Sequence, residues 1–345
     1  METSMQHEIT KPSNLLNKHG ELIQTGYATS PILKYIRKDV SLKHRLKEWD
    51  YYLIYNDNYA VALTVGFSIG MLLISTTFID FHLAKEHTKS VIRIVPFFKM
   101  PESSQVGDIV YKDKEVQLSI THKDEGRYLS LYLKDFMPAS DLETTLLLLN
   151  EPKDSMVIAT PFKENKKYFY YNQKIIGMEA YGYVTIGHSK YSFDSSRSYG
   201  LLDWGRGVWP YKTKWYWSAA QGKTQNGLFG FNLGYGFGDT AAATENMLFF
   251  DGKASKLTNV KFHIQKDSDQ HLDYMKPWMI TSSDKRIEMT MNPIIDRNAN
   301  LSAVILSTNQ HQVFGRFTGW AKLDDGTIVY IKDLLGFAEK VVNRW

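Results

Sequence analysis

Asp203 and Arg206 stand three residues apart in the segment Asp-Trp-Gly-Arg-Gly (203–207), with glycines that let the chain fold tightly around them. A carboxylate and a guanidinium at that spacing can close into a tight ion pair. Two readings follow. In one, Arg206 compensates a buried Asp203 and holds a turn. In the other, one group faces a ligand, and an aspartate caged by apolar aromatic rings has a raised pKa and donates a proton near neutral pH. Trp204, Trp209, Trp215 and Trp217, half of the chain's eight tryptophans, would wall such a cage.

Glycine-rich, nearly uncharged sequence follows. From 225 to 250 the only charged residues are Asp239 and Glu245. A carboxylate isolated in apolar sequence suggests a pocket wall, because burying it is costly unless it is paired or hydrogen-bonded. The catalytic expectation therefore names Asp203 as acid, Arg206 as its electrostatic partner, and Asp239 and Glu245 as auxiliary carboxylates. Trp204, Trp209, Trp215 and Trp217, with Asn232, Tyr235, Asn246 and His311, are the expected substrate-binding groups. The tryptophan faces suit developing positive charge.

Other motifs carry less. Gly66-Phe-Ser-Ile-Gly70 matches the spacing of a nucleophile elbow, but strand-like Met-Leu-Leu-Ile-Ser-Thr-Thr follows where a helix is required, so the glycines read as a hairpin turn. Gly234-Tyr-Gly-Phe-Gly238 has the wrong spacing for a dinucleotide fingerprint, and Asp239 at the entrance of an expected helix would repel phosphate and cap the free N–H groups itself. The ten histidines form neither an HExxH nor an H-x-H pattern, so no metal is expected. No cofactor is expected either.

The elements that position these residues read as β. Short apolar, β-branched runs recur along the chain, including 301–307, and turn through Asn-Asp-Asn (56–58), Lys-Asp-Glu-Gly (123–126) and Asp-Asp-Gly (324–326). Helical spacing is confined to 239–247 and 334–342, with a weaker pattern at 32–49. Many short strands without crossover helices predict an all-β fold of two tandem antiparallel barrels or sandwiches with few short helices. A chain of 345 residues fits two domains. We expect a lightly ordered surface extension over 1–30, an N-terminal barrel over 31–185, and a C-terminal barrel over 186–345 that carries the aromatic and acidic motif.

Composition excludes several function classes. A formal net charge of +4 gives no basic field for nucleic acid. The absence of cysteine rules out disulfides, thiolate catalysis and zinc-finger or iron–sulfur ligation. The N-terminus lacks the apolar core of a signal peptide, so a cytoplasmic location is expected. Between Asp57 and Asp80 runs an uncharged stretch whose length fits either a membrane helix or two buried strands. Its β-branched content, Gly66 and Gly70, and the lack of flanking basic residues favour the hairpin, so no stable membrane insertion is expected.

Five blocks, KEWDYY (47–52), LLDWGRGVWPYKTKWYW (201–217), FNLGYGFGDTAAATEN (231–246), QHQVFG (310–315) and GFAEKVVNRW (336–345), resemble the family called domain of unknown function 2804. That resemblance brings no settled activity. More remotely, the chain is similar to the double-calycin group, which includes carotenoid 1,2-hydratase, tocopherol cyclase and pericyclic cyclases. This likeness implies two lipocalin-like antiparallel barrels in tandem. Hydratase-like members place an Asp-His pair before Trp-Gly, whereas here Asp203 directly precedes Trp204-Gly205. The resemblance therefore carries over Asp203 alone, as the acid.

The expected function is binding of an apolar or ring-bearing small molecule, with cofactor-independent acid catalysis such as isomerisation, cyclisation, hydration or lyase chemistry. A carbohydrate-active enzyme using paired carboxylates and a non-catalytic lipid carrier are the alternatives.

Overall fold

The computed structural model describes residues 6–303 and 306–344. Residues 1–5 of the expected extension, and Val304 and Ile305 of the expected strand at 301–307, lie outside them. Within the described residues the chain is almost wholly β, with two short 3-10 turns at Arg37–Asp39 and Lys43–Arg45 where weak helical spacing is read at 32–49.

Beside a small parallel pair of Ser13–Asn14 with Leu33–Lys34, two large curled antiparallel sheets make up most of the molecule, as expected for tandem barrels. The first has 13 strands, and its main path runs Lys85–Ile94, Met71–Asp80, Tyr59–Ser68, Lys47–Tyr55, Tyr199–Val208, Phe169–Ile186, Ser140–Leu149, Gly126–Met137, Val116–Lys123, Ile109–Lys112. The second has nine, in the order Lys253–Lys256, Met247–Phe250, Leu228–Tyr235, Lys212–Lys223, Ile328–Arg344, Leu306–Lys322, Ile287–Ala303, Trp278–Ser282, Val260–His263. The chain leaves the first sheet for the second at 209–211. Ser189–Phe193 and Tyr199–Val208, which a boundary at 185/186 assigns to the C-terminal unit, are thus hydrogen-bonded into the N-terminal sheet.

Three other expectations are corrected. The segment 334–342 is not helical but belongs to Ile328–Arg344, which pairs on both edges. Both faces of that strand are buried around Leu334, Leu335, Phe337 and Ala338, so its apolar run lacks alternation and mimics helical spacing. The segment 239–247 is a turn and bend leading into Met247–Phe250. The extension is tied down, since Gly26–Ala28 pairs with Met156–Pro161, and Ile9, Leu15 and Leu16 are buried.

The apolar stretch after Asp57 is a hairpin, Tyr59–Ser68 with Met71–Asp80. Ile69 (φ 51°) and Gly70 (φ 74°) form its two-residue turn, with the positive φ values that match strand twist. No helix among the described residues is long and apolar enough to cross a membrane.

The apolar side chains form three cores. One fills the first barrel around Tyr52, Leu202 and Trp204, and another fills the second around Phe231, Trp278 and Phe317. The third lies between the sheets, where Leu53, Tyr55 and Leu201 meet Ala219, Phe314 and Phe337. Burial there, worth about 25 cal/mol per Å² of apolar surface, holds the two sheets together.

Candidate functional site

Beside that third core the sheets diverge around a cavity of about 540 Å³. Register explains its chemistry. In the first sheet Lys174 pairs with Asp203, Asp203 with Tyr51, Tyr51 with Thr64, and Thr64 with Ser75, a polar row across five strands. In the second, Trp217 pairs with Glu339, Glu339 with Gln312, and Gln312 with Arg297, a row across four. Cross-strand partners share a face, and all nine side chains border the cavity.

Aromatic rings close its inner end. Trp49 stacks on Tyr170 at 6.0 Å and meets Trp209 edge-on at 5.4 Å. Phe237, at the tip of the glycine-rich segment, packs against Tyr170, Trp209 and Trp215. Gly205 is required here, because a Cβ would lie 2.0 Å from the Trp49 ring.

The charges are closely held. Lys174 Nζ lies 2.9 Å from Asp203 Oδ2 and 4.0 Å from the centre of the Trp217 ring. Asn172 Nδ2 donates to Asp203 Oδ1 over 2.6 Å. Glu339 is 3 % exposed. Its Oε1 accepts from the Trp215 indole at 2.8 Å, and its Oε2 accepts from Gln312 Nε2 at 3.2 Å. Arg297 Nη1 donates to Gln312 Oε1 over 2.8 Å and so turns the Gln312 amide nitrogen toward Glu339. Burial pushes the Glu339 carboxyl up to about 7, against the pull of the Trp215 bond and the charges of Lys174 and Arg297. Burial also raises Glu245, opposed by Lys174 and by its bond to Asn232. Lys47 is pushed down to about 8 by burial, with Arg45 adding to the effect.

Of the residues singled out from sequence, Asp203, Glu245, Trp209, Trp215 and Trp217 border this cavity. The others do not. The expected Asp203–Arg206 pair is absent, because 203–207 lies within an extended strand rather than a turn, and an offset of three on a strand puts the side chains on opposite faces. Arg206 points into the first barrel, where Nη1 bonds Asp50 at 2.9 Å and the Trp49 carbonyl at 2.7 Å. Trp204 shares that face and packs edge-on to Tyr35 and Tyr171.

Asp239 caps no helix. Its Oδ1 accepts from Ala241 N at 3.1 Å, and Lys163 approaches to 3.7 Å. Asn232 braces the wall from behind, accepting from Trp217 Nε1 at 2.7 Å and donating to the Glu245 carbonyl at 2.8 Å. Asn246 accepts from Gly234 N at 2.7 Å, and Tyr235 stacks on Tyr216. His311 lies on the face opposite Gln312, bonded to Asp296 at 2.7 Å and stacked on Tyr274. Ser68 donates to the Leu46 carbonyl at the hairpin end and is no nucleophile elbow.

Sequence reasoning missed Lys174, Glu339, Gln312 and Arg297. Lys174 was discoverable as the one charge in the run Tyr-Tyr-Asn-Gln-Lys-Ile-Ile, whereas Glu339 has Lys340 beside it and does not stand out. Among the described residues no group of three His, Asp or Glu is placed to hold a metal ion.

Two curled antiparallel sheets enclosing such a cavity define a tandem calycin-like protein. The chain belongs to the family described as domain of unknown function (DUF2804), whose model matches residues 6–345. No curated protein matches it in sequence. Among solved structures it is similar to a Nitrosomonas europaea protein assigned provisionally as AttH, with a TM-score of 0.56 and 12% identity over 91% of this chain and 98% of that one. It is also similar to kievitone hydratase from Nectria haematococca, with a TM-score of 0.50 and 8% identity over 96% of this chain and 98% of that one. At these identities the likeness is one of fold.

Proposed function

We propose that the protein is a cofactor-independent acid–base catalyst acting on an apolar or ring-bearing small molecule held between its two sheets. The observation that carries this reading is the placement of Glu339 and Asp203. They belong to different sheets and border one aromatic cavity, and burial pushes the Glu339 carboxyl up to about 7. A carboxyl poised there is half protonated at neutral pH, the best compromise for a general acid. Glu339 would give its proton to a substrate double bond or to a departing oxygen. The faces of Trp215 and Trp217 would stabilise the developing cation. Asp203, held by Lys174 and Asn172, would accept a proton from an attacking water or from the carbon next to the cation. Water addition or loss and double-bond isomerisation are the outcomes of that cycle, and the hydratase of similar fold is in keeping with it.

The test is turnover in D2O of a panel of alkenes and tertiary alcohols carrying rings, read by mass spectrometry. Deuterium incorporated at one carbon, reduced at least a hundredfold in Glu339→Gln and in Asp203→Asn, is the expected result. Turnover that both variants leave unchanged would overturn the assignment. Retained binding without any label would identify a carrier instead.

A further inference from the structure

The cavity is not closed on every side. Met71 and Ile92 border it, yet they are 46% and 62% exposed, and Ile94 beyond them is 85% exposed. Register puts these side chains on one face, since Met71 pairs with Ile94 and Leu73 with Ile92. The charged neighbour Arg93 points to the other face, where it pairs with Asp113 and Glu115. The apolar strip also has a boundary. The next pairs on the same face are hydroxylic, Ser75 with Ser90 at 2.8 Å and Thr77 with Thr88 at 2.7 Å.

Polarity is therefore graded along the first sheet. Lys174 and Asp203 stand at one end, and a bare aliphatic strip on Met71–Asp80 and Lys85–Ile94 stands at the other. Gly66, which pairs with Leu73 and also borders the cavity, lies between them. Four strand spacings of about 4.8 Å separate Tyr199–Val208 from Lys85–Ile94, so the path is roughly 19 Å long.

We infer that the ligand is an amphiphile whose polar, reacting end lies at Asp203 and Glu339 and whose hydrocarbon tail runs out over Leu73, Met71, Ile92 and Ile94. The inference rests on the reading of the cavity as the ligand site and adds the substrate class. The tail covers aliphatic surface that would otherwise face water, and each methylene so buried strengthens binding roughly fourfold. A short ring-bearing molecule would fill the inner end and leave the strip bare.

The experiment measures binding of straight-chain primary alcohols, from hexanol to hexadecanol, by quenching of tryptophan fluorescence below their aggregation limits. Affinity is expected to climb with chain length until the tail spans the strip. Ile94→Ser, at an exposed position where the fold tolerates it, is expected to flatten the rise for the longest chains by at least tenfold. Equal affinity across the series, or a rise that Ile94→Ser does not alter, would overturn the inference and leave the acid–base reading standing. If benzyl alcohol binds but no straight-chain alcohol does, the inference falls and the acid–base reading stands; if neither binds, both readings fall.

Discussion

Trp215 and Glu339 lie on adjacent strands, and the indole Nε1 of Trp215 donates to Glu339 Oε1 over 2.8 Å. The ring is thus bonded to the carboxyl that burial pushes up to about 7. Tryptophan emission should change with pH with a midpoint near 7, and Glu339→Gln should abolish the step. Groups facing Glu339 include Lys174, Asp203, Tyr51 and Arg297, so Arg297→Met should move the midpoint upward by removing a nearby positive charge. A fluorescence titration of the three proteins checks this.

Glu339 also links stability to pH. Its carboxyl is raised from 4.5 in the unfolded chain to about 7 in the fold, so the folded protein binds this proton more tightly. The contribution is fully present below about pH 4.5, falls as pH rises through about 7, and amounts to on the order of 3 kcal/mol. Glu339→Gln should therefore gain stability relative to the parent between about pH 5 and about pH 8. Urea denaturation at both values reads the difference.

Removing Asp203 leaves the Lys174 ammonium buried without its carboxylate. Asp203→Ala should cost about 3–5 kcal/mol. Asp203→Leu combined with Lys174→Met should recover most of that loss, because it removes both charges at similar volume. Thermal melts of the single and double variants distinguish a paired charge from an ordinary packing defect.

Arg206 should matter for folding and not for the cavity. It neutralises Asp50 at 2.9 Å and approaches Glu48 at 3.6 Å inside the first barrel. Arg206→Met should cost about 3–5 kcal/mol by stranding Asp50, whereas Glu48 keeps Arg37 at 2.9 Å. In the fraction that folds, the pH midpoint reported by Trp215 should be unchanged. A shifted midpoint would contradict the separation of the two faces.

How much of this was legible in the sequence depends on the range of the pattern. Local signals were readable: the Asn-Asp-Asn turn at 56–58 and the hairpin closed by Ile69-Gly70 follow from composition over a few residues. Trp209, Trp215, Trp217 and Glu245 drew notice because aromatic clustering and isolated charge are also local. Parity is equally simple, but applying it to Asp203 and Arg206 required knowing that 199–208 is a strand. Its two buried faces erase the alternation that announces one. The same erasure hid Glu339. No local signal reveals that Tyr199–Val208 inserts between Lys47–Tyr55 and Phe169–Ile186, and without that pairing Lys174 has no reason to meet Asp203.

The chain crosses from sheet to sheet at 209–211, and the two rows that face the hollow lie on opposite sides of that crossing. Each barrel spends its own lumen on packing and offers the chemistry its outer skin. The stretch before the crossing carries Asp203 and Lys174 but not Glu339, and the stretch after it carries, of these three, Glu339 alone, so neither half by itself encloses the hollow.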